Sequence, residues 1–273
     1  MPNQQQTLFN LWILIKFVLW VGVVVVATLL LHRRKASSRV RLVFLIGGVL
    51  LFGFSFGWIV KDSVNPNPVF STRSLLTFAL VRRQFMLPVA VMLVALLLMV
   101  WISNKSICGW GCQLGLLQDL LHRIPLPKWK PPFWLSNGVR VVAFVALVGG
   151  LVGWGLDWIG VIDPFEIFQF NLTPWIGLFS AGVLVASLFV YRPWCQFLCP
   201  FGLLGWLVEQ VSLLRPRINR EACKECKLCV RACPTQAMSD YYAGRALHAD
   251  CFACGSCISA CPQEEALGWW AKV

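Results

Sequence analysis

The chain alternates between long apolar runs and shorter polar segments, and this pattern predicts its architecture. Runs long enough to cross a bilayer as helices of about 20 residues span residues 8–31, 42–60, 85–102, 139–162 and 175–191. The first run is too long for a signal peptide, and a basic stretch follows it instead of a cleavage site, so we expect a retained helix. The predicted fold class is an integral membrane α-helical bundle of about five transmembrane helices.

Composition and charge agree with a membrane protein and predict its orientation. Hydrophobic residues make up 58% of the chain and charged residues only 13%, which excludes an ordinary soluble domain. Segments 32–41, 104–140 and 192–273 together carry 19 Lys and Arg residues, whereas 61–84 and 163–174 together carry 4. Positive residues favour the cytoplasmic side of a membrane. We therefore expect segments 32–41, 104–140 and 192–273 on the cytoplasmic side of the inner membrane, and the N-terminus on the outer side. Anionic headgroups then explain the net charge of +12 without nucleic acid.

The cysteines carry the candidate chemistry, and eight of the twelve form two copies of the pattern CxxCxxCxxxCP. The copies are 28 residues apart and contain Cys223, Cys226, Cys229 and Cys233, then Cys251, Cys254, Cys257 and Cys261. This spacing is that of bacterial ferredoxins with two iron–sulfur clusters, in which the fourth cysteine of each run binds the other cluster. We therefore expect one 4Fe–4S cluster on Cys223, Cys226, Cys229 and Cys261, and a second on Cys251, Cys254, Cys257 and Cys233. A zinc site or a disulfide scaffold fits the doubled run poorly.

These runs predict a small α+β ferredoxin domain at residues 220–273, with short helices after the prolines at 235–238 and 263–267. Reduced thiols suit the cytoplasm, on the side that the charge pattern assigns to this domain.

The other four cysteines form a second repeat. Cys108 and Cys112 in CGWGCQLG match Cys195 and Cys199 in CQFLCPFG, and each motif follows an outward-to-inward helix. The preceding hairpins also match, with Asn65-Pro66 in one and Asp163-Pro164 in the other. We therefore divide the chain into an additional helix and basic loop (1–41), two hairpin-plus-CxxxC units (42–138 and 139–219) and the ferredoxin domain (220–273).

With these motifs the chain resembles the membrane polyferredoxins, which include the NapH-type quinol dehydrogenase subunit of periplasmic nitrate reductase systems. Related members are the membrane halves of nitrous-oxide reductase accessory proteins and copper-reducing assembly factors of terminal oxidases. The resemblance covers residues 39–273 and implies electron exchange between the quinone pool and the redox subunits of a respiratory complex, in either direction. Two departures are Gln113, in place of the proline of the first CxxxCP motif, and the additional first helix.

The CxxxC thiols have several candidate roles. Pro200 at the start of a helix over 201–214 would make Cys199 the N-cap, where the helix dipole favours a thiolate and lowers the thiol pKa. If the repeat brings Cys108, Cys112, Cys195 and Cys199 together, they can hold a third iron–sulfur cluster or a soft ion such as copper(I), or act as redox dithiols. Four inert buried cysteines are the remaining alternative. The alternative functions are a copper reductase or metal-centre maturation factor, and a structural anchor within a respiratory complex.

Polar residues near the membrane ends are candidates for a quinone or proton site. Asp157, Asp163 and Glu166 lie at the outer end of the fourth run, and Asp62 lies at the outer end of the second. An acid within a span is a functional candidate, although Asp157 can instead pair with Arg73, Arg82 or Arg83. At the inner end the candidates are Gln113, Gln118 and Asp119. We expect an apolar groove open to lipid near one of these ends.

Overall fold

The computed structural model describes residues 2–59, 67–171 and 173–271, which are mostly helical. The first half of the membrane part contains α1 (Pro2–His32), α2 (Ser38–Gly48), a π-helical segment (Val49–Ser55), α3 (Phe56–Ile59), α4 (Pro68–Leu80), α5 (Leu87–Ser103), a π-helical turn (Ile107–Gly111) and α6 (Gln113–His122). The second half contains α7 (Phe133–Trp154), α8 (Trp158–Val161), a 3₁₀ turn (Pro164–Gln169), α9 (Pro174–Phe189), α10 (Pro193–Phe197) and α11 (Pro200–Glu209).

Among the described residues, three helices are long and apolar enough to cross a membrane: Leu11–His32, Ser38–Ile59 and Phe133–Trp154. The third and fifth apolar runs form shorter apolar helices, Leu87–Ser103 and Pro174–Phe189. The expected extension of the fourth run to residue 162 is wrong. Gly155 adopts a left-handed conformation, φ 64°, and ends α7 there. Val60, the expected end of the second run, lies outside the described residues, as do Asn65 and Pro66.

In the first hairpin, the described Asn-Pro pair is Asn67-Pro68, which directly follows Asn65-Pro66 in the sequence. Asn67 accepts a hydrogen bond from Phe70 N–H at 2.7 Å and caps α4, which begins at Pro68. Asp163 caps the 3₁₀ turn in the same way, through Phe165 N–H at 3.1 Å. The matched hairpins therefore share an Asx-Pro helix start.

The ferredoxin domain contains β1 (Arg215–Ile218), α12 (Leu228–Ala232), α13 (Ala237–Tyr242), α14 (Ser256–Ala260) and β2 (Leu267–Trp270). The strands pair antiparallel, from Arg215 opposite Trp270 to Ile218 opposite Leu267. The helix expected at 235–238 begins at Ala237. The expectation of a helix at 263–267 is wrong. Residues 264–266 form a turn, and Leu267 begins β2, which pairs with β1.

The helix expected over 201–214 is also shorter and ends at Glu209. The N–H groups of Leu213 and Leu214 instead bond to the carbonyls of Trp101 and Ile102 in α5, at 2.8 and 3.0 Å. The chain is thereby turned along the end of α5 before it enters β1.

The ferredoxin domain packs directly on the helices. Ala27 and Leu31 of α1 belong to the same buried apolar cluster as Trp269 and several ferredoxin cysteines. Just after α1, Arg34 donates hydrogen bonds to the carbonyls of Ile258 and Cys261 at 3.1 and 2.9 Å. The second large cluster lies among the helices and contains all four CxxxC cysteines.

Candidate redox sites

Two cavities in the ferredoxin domain are each lined by four of its cysteines. The near cavity, which also touches Tyr191 of the membrane part, is lined by Cys233, Cys251, Cys254 and Cys257. The far cavity is lined by Cys223, Cys226, Cys229 and Cys261. Each cavity thus combines three cysteines of one run with the fourth of the other, and four thiols around one space fit the ligand set of a 4Fe–4S cluster.

The loops around these cavities repeat the same unusual backbone. Glu225 and Lys227 have positive φ angles of 54° and 55°, and the residues 28 positions later, Ala253 and Gly255, have 49° and 80°. Successive reversals of this kind turn backbone N–H groups toward one side, which favours a bound anion. The loop geometry therefore suits an anionic cluster as well as the cysteine positions do.

The cysteine positions also bear on the two alternatives to iron–sulfur clusters, a disulfide scaffold and a single-metal site. All twelve cysteines are free thiols, so the structure contains no disulfide scaffold. Among the described residues, no three His, Cys, Asp or Glu side chains are placed so that they could hold a metal ion.

The CxxxC core consists of Cys108, Cys112, Cys195 and Cys199, all buried in one apolar cluster. Burial, and then the charges of the other three cysteines, raise the pKa of the Cys199 thiol well above its ordinary value. Cys199 is the N-cap of α11, and its Sγ accepts the Gly202 N–H at 3.2 Å. The expected lowering of its pKa is nevertheless wrong for the free thiol, because burial outweighs that hydrogen bond.

The glycine shared by both motifs has a packing role. A Cβ on Gly115 would lie 2.9 Å from the Cys108 carbonyl, and one on Gly202 would lie 2.6 Å from the Cys195 carbonyl. Each helix therefore needs glycine to approach the preceding cysteine segment. This explains why the Leu-Gly and Phe-Gly pairs recur at the same distance from the cysteines.

Four buried basic side chains surround the core, and none was singled out from the sequence. Arg41 donates to Gly109 O at 2.8 Å, and Arg192 donates to the carbonyls of Cys108 and Gly109. Lys105 donates to Gly202 O at 3.1 Å, and Arg140 donates to Cys195 O at 3.3 Å. A signal was present: Lys105 and Arg192 each lie three residues before the first cysteine of a motif.

Three carboxylates compensate these charges. Asp119 pairs with Arg41 at 2.7 Å and with Arg192 at 2.9 Å. Burial alone would raise the pKa of Asp119, but these two arginines and the Tyr191 hydroxyl hold it well below its usual range. Asp119 is therefore a fixed anion at neutral pH and not a proton acceptor.

Asp250 of the ferredoxin domain forms ion pairs with the other two basic residues, Lys105 and Arg140. Burial opposes ionisation, but both cations lower the pKa of Asp250. Burial raises the pKa of the adjacent Glu209 to about 8, against the charge of Lys105. Glu209 also pairs with Lys105, at 3.3 Å, so four cations face three carboxylates, and the excess positive charge suits a group of thiolates.

Phe252 joins the CxxxC core to the near cavity. It follows Cys251 directly, lines the near cavity, and belongs to the same buried cluster as the CxxxC cysteines. Its ring lies 5.9 Å from that of Tyr191, and the cations of Lys105 and Arg192 lie 5.4 and 5.2 Å from its centre. Next to it, Trp110 of the first motif donates to Ala253 O at 2.8 Å.

Gln118 connects the two halves of the core. Its Nε2 lies 3.7 Å from Cys195 Sγ and 3.2 Å from Leu114 O, while its Oε1 accepts Trp194 N–H at 3.1 Å. These partners fix the amide orientation, so an N–H faces the sulfur. Gln113 is also fully buried, but its amide atoms have no hydrogen-bond partner within the part of the chain that is described.

The additional helix α1 also reaches the core. Trp20 donates to Gly111 O at 3.1 Å, and Lys16, one turn earlier, is fully buried 5.0 Å above the Trp20 ring. Lys16 is a single cation inside an apolar run, a signal of function that the sequence offered.

The outer acids lie apart from the cysteines. Asp157 caps Gly160 N–H at 3.1 Å and pairs with Arg73 at 3.1 Å. Asp163 is buried, and burial raises its pKa to about 6 against the charge of Arg73. Glu166 accepts a hydrogen bond from Asn171 at 3.3 Å; Asp62 lies outside the described residues. Of the outer acids, Asp163 is therefore the one whose pKa suits proton exchange near neutral pH.

An apolar groove opens on the outside of the bundle beside the core. It is lined by Phe179, Gly182, Val183 and Ala186 of α9 and by Pro193, Trp194, Phe197 and Leu198. Trp194 directly precedes Cys195, and its buried Nε1 has no hydrogen-bond partner among the described residues.

Two iron–sulfur family profiles match the segments that contain these cysteines. The profile described as "4Fe-4S binding domain" matches twice, at residues 85–132 and 172–221, so each match contains one CxxxC motif. The profile described as "4Fe-4S dicluster domain" matches residues 215–262. The resemblance to the membrane polyferredoxins is confirmed. The chain thus combines iron–sulfur binding domains with helices that could cross a membrane, and it is similar to electron transport proteins.

Curated relatives are distant. The polyferredoxin is 28% identical over 172 residues to YccM of Escherichia coli K12, covering 55% of this chain and 46% of YccM. It is 26% identical over 231 residues to protein NirI of Paracoccus denitrificans, covering 77% of this chain and 32% of NirI. It is 28% identical over 147 residues to the methylamine utilization ferredoxin-type protein MauN of the same organism, covering 49% of each chain. The chain thus spans half or less of the length of these relatives, and no solved structure matches.

Proposed function

We propose that this polyferredoxin exchanges electrons between the membrane quinone pool and a redox partner in the cytoplasm. The observation that carries the proposal is the direct contact of the buried CxxxC core with the Cys251–Cys254 loop through Phe252. A redox site inside the bundle and a ferredoxin site facing water are thereby joined by one packed side chain. The relatives include one named as an electron transport protein and one named as a ferredoxin-type protein.

Two of the proposed cofactors are 4Fe–4S clusters in the near and far cavities, held by the crossed cysteine sets. We also assign a third to the CxxxC core. The repeated match to the 4Fe-4S binding domain supports this, since each match supplies one of the two cysteine pairs. The surrounding cations support it too, because Arg41, Lys105, Arg140 and Arg192 outnumber the three carboxylates paired with them, Asp119, Glu209 and Asp250. Clusters held at these positions supply one-electron transfer.

The order of the cysteine sites gives a direction in space. The CxxxC core lies among the helices, the near cavity adjoins it, and the far cavity includes Cys226, which is exposed. A soluble partner would therefore meet the protein at the far cavity. Phe252, Trp110 and Tyr191 exclude water from the inner part of this line, which keeps the sites in a low-dielectric environment.

For the membrane arrangement we propose the five spans, with the N-terminus outside and the ferredoxin domain in the cytoplasm. The positive residues support it. Of the domain boundaries expected from the sequence, 41/42 and 138/139 fall inside α2 and α7, and we place the start of the ferredoxin domain at Arg215, where β1 begins, instead of at 220. The groove beside Trp194 is the proposed quinone site: it is apolar, it adjoins Cys195, and the Trp194 indole N–H suits a quinone carbonyl. Asp163 is the proposed proton acceptor at the outer side.

The alternative is metal handling, in which the CxxxC thiols bind and reduce copper. Metal analysis of anaerobically purified protein separates the two functions. Three 4Fe–4S clusters correspond to about twelve irons per chain, and we expect that content with no copper. About eight irons, together with copper that is lost on Cys195→Ala and copper(II) reduction that depends on Cys195, would contradict the proposal.

A further inference from the structure

Four arginines of the ferredoxin domain line one open groove, the arginine groove: Arg215, Arg217, Arg220 and Arg245. The described residues that line it include no acidic side chain. Arg245 pairs with Asp240 at 3.0 Å, whereas Arg215 donates to the Gln210 carbonyl at 3.1 Å and Arg220 to that of Tyr242. The groove therefore carries an excess of positive charge.

Arg217 is the least compensated of the four. Its Nε donates to Trp270 O at 3.4 Å, but its buried Nη2 has no hydrogen-bond partner among the described residues. Burial and the neighbouring charge of Arg215 lower the pKa of Arg217. An anion in the groove would satisfy this donor and relieve the repulsion.

The position of the groove indicates where the anion comes from. Leu213 and Leu214, directly before Arg215, are bonded to the last turn of α5, so the groove begins at the inner end of a proposed span. Leu207, Val211 and Leu247 lie nearby in sequence with 53%, 67% and 61% of their surface exposed. Cationic side chains beside exposed aliphatic ones form the pattern of an interfacial site, with headgroup contacts above acyl-chain contacts.

We propose that the arginine groove binds the phosphate headgroup of an anionic phospholipid whose acyl chains lie along Leu207, Val211 and Leu247. This site adjoins the near cavity, with which it shares Pro216 and Tyr241, and is distinct from the proposed quinone groove. It would hold the ferredoxin domain against the inner leaflet in addition to the contacts made by α1 and Arg34.

Native mass spectrometry of the cluster-loaded protein tests the site, with phosphatidylglycerol and phosphatidylcholine offered as separate probes. We expect retention of phosphatidylglycerol in preference to phosphatidylcholine, and a roughly fivefold weaker retention for each arginine lost in Arg215→Gln and Arg217→Gln. The matched control, Arg82→Gln with Arg83→Gln, removes the same charge from exposed positions before α5, on the proposed outer side, and should change retention little.

Iron content checks that the variants remain folded. If the double variant loses iron, Arg217→Lys and Arg217→Gln replace it: the lysine should keep lipid retention and the glutamine should reduce it. Equal retention of both lipids, no change in the arginine variants, or an equal loss in the control would overturn the proposal. Displacement of the lipid by inorganic phosphate at comparable concentration would identify a free-anion site and would also overturn it.

Discussion

The two halves of the CxxxC core are built from matching parts, but they obtain their acid from different places. Each half has a cation three residues before its first cysteine, and each cation bonds to the other half: Lys105 to Gly202 O and Arg192 to Cys108 O. In the first half the compensating acid, Asp119, lies on the same motif's own helix, α6. In the second half α11 supplies Glu209, which pairs with Lys105 at 3.3 Å, but the acid that pairs with Arg140 is Asp250 of the ferredoxin domain.

The position in α11 that corresponds to Asp119 explains the difference. Asp119 lies seven residues after Cys112, and seven residues after Cys199 the chain has Trp206. The Trp206 indole donates to His248 O, in the ferredoxin domain, at 2.8 Å. The carboxylate partner of Arg140 therefore comes from the ferredoxin domain, so docking of that domain is part of the core itself.

The largest expected effect comes from removing a core thiol from either half. If both halves hold one centre, Cys112→Ser and Cys195→Ser should each remove the same centre, about one third of the iron. Iron and acid-labile sulfide analysis measures this. Loss of iron in one variant and not in the other would show that the halves act as separate sites.

The crossed assignment in the ferredoxin domain predicts a similar loss at a different site. Cys233→Ser should remove the cluster of the near cavity, although Cys233 is closer in sequence to the far set. Electron paramagnetic resonance of the reduced protein should then retain the far cluster and the core. The matched control is Cys261→Ser, which should spare the near cavity; the opposite pattern would contradict the crossing.

The next largest expected effect is the loss of stability when Asp119 or Asp250 is neutralised. Asp119→Asn and Asp250→Asn each leave buried cations unpaired and should lower the free energy of unfolding by about 3–5 kcal/mol. Only Asp250→Asn should also increase the hydrogen exchange of Phe252 and its neighbours, because only that change loosens the docked domain. Hydrogen–deuterium exchange mass spectrometry distinguishes them. Equal exchange in both variants would remove the contrast between the halves.

The smallest effect concerns the amide that joins the halves. Gln118→Leu removes a hydrogen bond to Cys195 Sγ, which stabilises the more negative, reduced state, so the midpoint potential of the core should fall. A bond worth about 1 kcal/mol corresponds to tens of millivolts, since a tenfold change is 59 mV for one electron. Gln210→Leu removes an amide that touches no sulfur and serves as the control. An unchanged potential in Gln118→Leu, or a similar fall in the control, would contradict this role.

Much of this arrangement could be predicted from local patterns. The two cysteine runs, the CxxxC repeat and the apolar runs depend on residues close in sequence, and the structure brings the crossed cysteine sets to separate cavities. The early end of α7 at Gly155 could also have been read locally. The pairing of 267–270 with β1 could not, because a strand over four residues is defined by a partner about fifty positions away.

The electrostatics of the core were missed for the same physical reason. Asp119 was a candidate for the quinone or proton site because it is a polar group at the inner membrane end, but Arg41 and Arg192, distant in sequence, pair with it. The expected pKa of Cys199 was wrong because the helix start is visible in the sequence and the depth of burial is not. Charges that meet across repeats become evident only in three dimensions.

The account's central claim is that quinone and the ferredoxin domain communicate through the CxxxC core. The most direct measurement follows the 4Fe–4S signals of the purified anaerobic protein by electron paramagnetic resonance after addition of a menaquinol analogue, or of the quinone to prereduced protein. We predict quinone-linked reduction or oxidation of the signals in the wild type, and a much slower change in Cys195→Ser with its near and far clusters intact. No quinone-linked change in the wild type, or an unchanged rate in Cys195→Ser, would contradict the account.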